Sequence, residues 1–200
     1  MEVSLFEAQE LACWRAERPA FDCVSFAIDR GDALLLKGAN GAGKSSLLRV
    51  LAGLLPRAAG RLLWDGADAL ADLPAHGARL RYLGHQDALK PSLSAAENLA
   101  FYARLHGGEV GEALEALHLG ALADLPARVL SSGQKRRLAL ARLALGRAPL
   151  WLLDEPSVGL DAASVETLGP LFARHRAAGG MVIAATHLPL PLPDARELRL

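Results

Sequence analysis

Apolar positions along the chain follow two periodicities. Short apolar stretches at residues 3–6, 11–14, 21–28 and 62–64, each bounded by turn-forming or polar residues, predict strands of an antiparallel sheet. The stretches at 151–153 and 182–185 are apolar at every position, as in strands covered on both faces of a parallel sheet, and 33–36, 79–83 and 197–200 supply further strands. Elsewhere the spacing is helical. It runs through 94–106 and 110–117, with Gly107-Gly108 between them, and helices are also predicted at 45–55, 134–145 and 162–176. The expected class is α/β, a core carrying an antiparallel β subdomain and a helical insertion at about residues 88–146.

Length and charge narrow the possibilities. Two hundred residues suffice for one domain spanning 1–200. The 22 basic and 22 acidic residues cancel, so the broad positive footprint that nucleic acid requires is missing and no nucleic-acid partner is expected. Glu2, Glu7, Glu10, Arg15, Glu17 and Arg18 interrupt the first residues, unlike the apolar middle of a signal peptide. Nowhere do about eighteen apolar residues run together, and a cytosolic chain is expected. Cys13 and Cys23 lack metal-ligand spacing and read as buried thiols.

The sharpest chemistry lies at Gly38, Ala39, Asn40, Gly41, Ala42, Gly43, Lys44, Ser45 and Ser46, which fit G-x-x-x-x-G-K-[ST] between a predicted strand and a predicted helix. Glycines let backbone N–H groups converge on a phosphate, and the helix start adds the positive end of its dipole. Lys44 would reach the outer phosphates. Ser45 would place its hydroxyl on Mg²⁺, and Ser46 would donate to a phosphate oxygen. A second constellation follows at Leu150-Trp151-Leu152-Leu153-Asp154-Glu155, an apolar strand ending in two carboxylates. With the phosphate loop upstream it reads as the other half of a P-loop ATPase, Asp154 holding Mg²⁺ through water and Glu155 polarising the attacking water.

Between these segments, Ser131, Ser132, Gly133 and Gln134 stand at a helix start that could offer a hydroxyl and open N–H groups to an anion. One phosphate loop already serves one ATP, so this second helix tip suggests the nucleotide of another subunit. The plainer alternative is that a serine caps a surface helix and that Lys135, Arg136 and Arg137 are solvated.

Taken in order, the nonapeptide at 38–46, Gln86, the pentapeptide Leu130 to Gln134, Leu152-Leu153-Asp154-Glu155-Pro156, Gly159-Leu160-Asp161 and His187 resemble the motifs of the ATP-binding subunits of ABC transporters. The resemblance covers nearly the whole chain and implies a P-loop NTPase fold, ATP and Mg²⁺ as ligands, and hydrolysis coupled to transport. It further implies that Gln86 senses Mg²⁺ and the membrane partner, that Asp161 lies in a dimer-contact loop, and that His187 contacts the γ-phosphate. Glu155, His187 and Lys44 would then be catalytic, and Ser45, Gln86 and Asp154 would surround the metal. An aromatic stacks on adenine ahead of the phosphate loop in this family, and Trp14 is the candidate here. Ser132 departs from the glycine that most members carry at its position.

Several local segments, among them Tyr82-Leu83-Gly84-His85-Gln86 and the run from Gln134 to Leu143, resemble one branch of that family, the ATP-binding proteins of the heme exporter in cytochrome c maturation. The branch implies a homodimer of ATPase subunits docked on the integral membrane subunits of the cytochrome c maturation exporter, peripheral to the cytoplasmic side of the inner membrane. The wider family leaves an exporter of a drug or lipid as the alternative. Like short members of the family, the chain is expected to lack a C-terminal regulatory domain. No Cys-x-x-Cys-His is present, and direct heme binding by this chain is not expected.

Overall fold

The computed structural model describes residues 4–15 and 18–200. Four strands, β1 (Phe6–Arg15), β2 (Arg18–Ile28), β4 (Ala59–Trp64) and β5 (Ala67–Asp68), form an antiparallel sheet in the order β2-β1-β4-β5. Five more, β3 (Ala33–Lys37), β6 (Leu80–Leu83), β7 (Leu150–Asp154), β8 (Met181–Ala185) and β9 (Arg196–Arg199), make a parallel sheet in the order β6-β7-β8-β3-β9. The helices are α1 (Lys44–Leu51), α2 (Leu73–Ala78), α3 (Ala95–His106), α4 (Val110–Glu115), α5 (Ser132–Ala141), α6 (Ala162–Glu166) and α7 (Leu168–Ala177). Helices α3, α4 and α5 all lie between β6 and β7. No helix among the described residues is long and apolar enough to cross a membrane.

Alternation along the parallel strands divides the core. Leu150 and Leu152, with Met181, Ile183, Leu34 and Leu36, face α1 and the antiparallel sheet, whose Phe6, Leu11, Phe21 and Ile28 complete that layer. The intervening Trp151, Leu153, Val182 and Ala184 face the opposite way, onto Leu99, Leu114, Leu138 and Phe172 of the helices. Every residue of β7 and β8 is buried, as expected of a parallel strand with helices or a second sheet over both faces.

Boundaries differ from the sequence expectations in physically intelligible ways. The stretches at 3–6 and 11–14 are not separate strands: Val3 lies outside the described residues, and Phe6 and Leu11 to Trp14 belong to one long β1. Polar Gln9 and Glu10 mark an irregularity inside it, where the register slips and Glu10 takes φ +49°. Gly60 lies opposite, and a Cβ there would strike the Gln9 and Glu10 carbonyls. The helix expected at 162–176 breaks at Thr167 because Pro170 has no N–H to return to Glu166. The helix expected from 134 starts at Ser132 and gives way at Arg142–Ala144 to a 3₁₀ turn. Strand β5 and helix α2, the latter capped by Asp72 accepting from the Ala75 N–H at 2.9 Å, were too short for the periodicity to reveal. Cys13 is buried, but Cys23 is exposed, contrary to expectation, at a left-handed bulge of β2 (φ +53°).

Candidate active site

Strands β3 and β7 run parallel on either side of β8, so the segments that follow them emerge at the same edge of the sheet. This is the edge where open α/β sheets bind their ligands. After β3, the loop 38–43 turns through Gly38 (φ +143°), Gly41 (φ +86°) and Gly43 (φ +95°). Gly43 is required twice over, by its left-handed backbone and by the Ala20 carbonyl, which any Cβ would strike. It is also the N-cap of α1 and supplies no capping side chain, so N–H groups of the first turn remain free for an anion.

Side chains then converge on this turn. Lys44, although almost fully buried, donates from Nζ to the carbonyls of Gly38 at 2.7 Å and Ala39 at 2.9 Å, holding its charge inside the loop. Ser45 Oγ donates to Asp154 Oδ1 at 2.9 Å, across 109 residues of sequence. Asp154 is only 2% exposed, and its other oxygen, Oδ2, is buried with no partner. A buried carboxylate oxygen without a donor is costly unless a cation completes it. The pair therefore fits a hard divalent ion held by one hydroxyl and one carboxylate, the remaining oxygens coming from phosphate and water. Among the described residues no group of three His, Cys, Asp or Glu side chains is arranged as an all-protein metal cage.

Glu155 follows immediately, with its backbone in the left-handed region at φ +50°. Its N–H is fixed on the Ala185 carbonyl at 2.8 Å. Its Oε2 lies 3.0 Å from His187 Nδ1 and accepts from the His187 backbone N–H at 3.4 Å. The loop carrying His187 is pinned by Thr186, whose hydroxyl donates to the Leu188 carbonyl at 3.1 Å and accepts from the Leu188 N–H at 3.0 Å. Glu155 also lines a cleft of about 610 Å³ with Asn40, Gly41, Gly43, Lys44, Ser45 and Ser46, and His187 joins that site through its contact with the Glu155 carboxylate, without lining the cleft itself. The arrangement can hold a polyphosphate by its backbone and ammonium, and present a base to water beside the terminal group.

Other residues singled out from the sequence lie elsewhere. Ser131 accepts from the Gln134 N–H at 3.2 Å while the Gln134 side chain accepts from the Ser131 N–H at 2.8 Å, a capping box that leaves Ser131 and Ser132 exposed. With Gly133 they form the tip of α5, and none of them lines the cleft. Asp161 caps α6 by accepting from the Ser164 N–H at 2.7 Å, a bond that holds its carboxyl below the usual range. Gln86 is exposed beyond β6 and does not line the cleft. Trp14 is neither buried in a core nor in the cleft wall; it is 59% exposed, and Arg15, Arg18 and Pro19 occupy that wall instead.

Arg136 has no role in the sequence expectations, whose plainer alternative leaves it solvated beside Lys135 and Arg137. It is buried, and its guanidinium reaches the carbonyls of Asp154, Glu155 and Pro156. The signal was present. Arg136 precedes Ala139 and Leu140 by three and four positions, which puts it on the buried stripe of α5.

A family model described as ABC transporter matches residues 21–158, and with more than half of its length matched the chain belongs to that family. ATP binding follows from membership. The chain is 55% identical to the cytochrome c biogenesis ATP-binding export protein CcmA of Rhodospirillum rubrum, over 98% of this chain and 86% of that protein. It is 52% identical to the protein of the same name from Paramagnetospirillum magneticum, over 100% of this chain and 95% of the relative. Among solved structures, an ATP-binding protein from Pyrococcus furiosus described as a putative ABC transporter superposes with a TM-score of 0.83, covering 98% of this chain and 96% of that one. At 22% identity that likeness concerns the fold, which is the expected P-loop α/β core with an antiparallel sheet beside the parallel one.

Proposed function

We propose that this chain is the ATP-hydrolysing subunit of the heme exporter of cytochrome c maturation, a single domain that works as a head-to-tail homodimer on integral membrane subunits at the cytoplasmic face of the inner membrane. The observation that carries the ATPase reading is the junction of Lys44, Ser45, Asp154, Glu155 and His187 at one sheet edge. Identity of about half over nearly the whole chain to export proteins of cytochrome c biogenesis supports the branch.

In this reading the backbone of 38–43 and the Lys44 ammonium bind the β- and γ-phosphates, and Ser46 adds a donor. Ser45 and Asp154, with Gln86 drawn in from its loop, would hold Mg²⁺, which when bound neutralises charge developing on the transferred phosphoryl group. Glu155 accepts the proton of the attacking water, and His187 orients Glu155 and meets the γ-phosphate. Ser131 and Ser132, which are exposed, and Gly133 and Gln134, which are half-buried, all lie outside their own chain's cleft and cover the nucleotide of the partner. Because γ-phosphate contacts are lost on hydrolysis, nucleotide state biases a closed dimer against an open one. Trp14 stays a reserve candidate for adenine stacking; Arg15 and Arg18, which line the cleft, are the better placed side chains.

Deleting the gene tests the branch. Covalent c-type cytochromes are expected to disappear and to return with the wild-type gene but not with Glu155→Gln. Normal cytochrome levels in the deletion strain would refute the assignment.

A further inference from the structure

Arg136 forms a junction that the roles above do not explain. Its Nε donates to the Pro156 carbonyl at 3.2 Å, and one terminal nitrogen donates to the Asp154 and Glu155 carbonyls at 3.0 and 2.8 Å. The other terminal nitrogen donates to the Gly84 carbonyl at 3.2 Å and pairs with Asp87 Oδ1 at 3.0 Å. All the N–H donors of the guanidinium are therefore spent. The acceptors belong to two segments, the end of β7 that carries Asp154 and Glu155, and the residues after β6 that flank Gln86. The donor belongs to a third, helix α5, whose tip is the exposed Ser131 and Ser132 followed by the half-buried Gly133.

Two features make this more than a buried ion pair. Glu155 sits in the left-handed region, at a cost of about 1–2 kcal/mol for a residue with a Cβ, and such a conformation persists only where its surroundings over-determine it. The Arg136 fork grips the carbonyls before, at and after that residue. Second, the acceptors are main-chain oxygens fixed in direction, which a planar fork can satisfy and a lysine ammonium cannot.

We propose that Arg136 is a positioning residue for ATP hydrolysis: it locks the strained Glu155 backbone and the Gln86 loop onto helix α5, so that the helix tip, the carboxylate and the loop move as one piece. The proposal rests on the reading of Glu155 as the base. Arg136 does not touch the phosphate cradle, so nucleotide binding and turnover separate when it is altered.

The test uses full-length protein, with ATP affinity measured by calorimetry and turnover by phosphate release, normalised to the nucleotide bound. Arg136→Lys keeps the charge and loses the fork; kcat is expected to fall about 10–100-fold, or about 1.4–2.7 kcal/mol of activation free energy, while the ATP dissociation constant stays within about twofold. Asp87→Asn keeps an acceptor of the same shape and removes only the ion pair, so it decides the matter if Arg136→Lys does not fold; a fall in kcat of about 3–10-fold at unchanged affinity is expected. A purely architectural role would lower the melting temperature or the yield and leave kcat per bound nucleotide intact. That result, or equal losses in affinity and kcat, overturns the proposal. Glu155→Gln is assayed in parallel: if it hydrolyses ATP normally, both the base assignment and the role of Arg136 fall, whereas an inactive Glu155→Gln beside a fully active Arg136→Lys removes Arg136 alone.

Discussion

Acid should destabilise this protein through one particular histidine. His175, on α7, is stacked on Trp151 with ring centroids 3.7 Å apart, and its Nε2 bonds the Met181 carbonyl at 3.2 Å. In the neutral ring Nε2 carries the hydrogen and donates. Burial disfavours the imidazolium and pushes the pKa down to about 4, although the Met181 bond pulls the other way. Arg30, Arg147 and Arg174 line the same cleft, so no charge on that side favours a second proton. The unfolded chain, with an ordinary pKa near 6.5, binds a proton that the folded chain refuses between those values. The contribution is complete above about pH 6.5 and is lost as pH falls through that window toward 4. The full gap corresponds to about 3 kcal/mol, or about 6–12 °C in melting temperature for a chain of this length. His175→Phe keeps a flat ring against Trp151 and cannot titrate. It should cost about 1 kcal/mol at pH 7.5 from the lost hydrogen bond, and its urea-unfolding free energy should then fall less steeply than the wild type between pH 7 and pH 4.5. His76 is also depressed by burial, but it is present in both proteins and cancels in the difference. Parallel pH profiles for the two proteins would refute the reasoning.

The other outcomes concern the site itself. Glu155→Gln should lower kcat by about 10²–10⁴-fold with ATP still bound, read by phosphate release and by nucleotide retention on gel filtration, and the trapped protein should elute as a dimer. Lys44→Ala removes a charge-assisted donor, and calorimetry should show ATP affinity down by about 10–100-fold. Gly43→Ala forces a Cβ against the Ala20 carbonyl at φ +95°, so ATP binding should be lost while far-ultraviolet dichroism stays close to that of the wild type.

What could be read from the sequence was whatever depends on neighbours along the chain. The phosphate cradle is such a case: glycines at fixed intervals between a strand and a helix prescribe the turn, the free N–H groups and the place of Lys44 by local backbone geometry alone. The wholly apolar runs of β7 and β8 likewise announced a doubly covered parallel sheet, because strands buried on both faces cannot alternate. Contacts across long stretches of chain were decided only by packing. Ser45 meets Asp154 across 109 residues, and Glu155 meets His187 across 32, because β3, β8 and β7 lie side by side and end together. The same packing buries Arg136 rather than solvating it, exposes Cys23, and puts Arg15 and Arg18 in the cleft wall where Trp14 was expected. Hydrophobic spacing specifies which face of an element turns inward; which polar groups that face must then satisfy depends on the backbone it lands against, and only the assembled sheet and helices determine that.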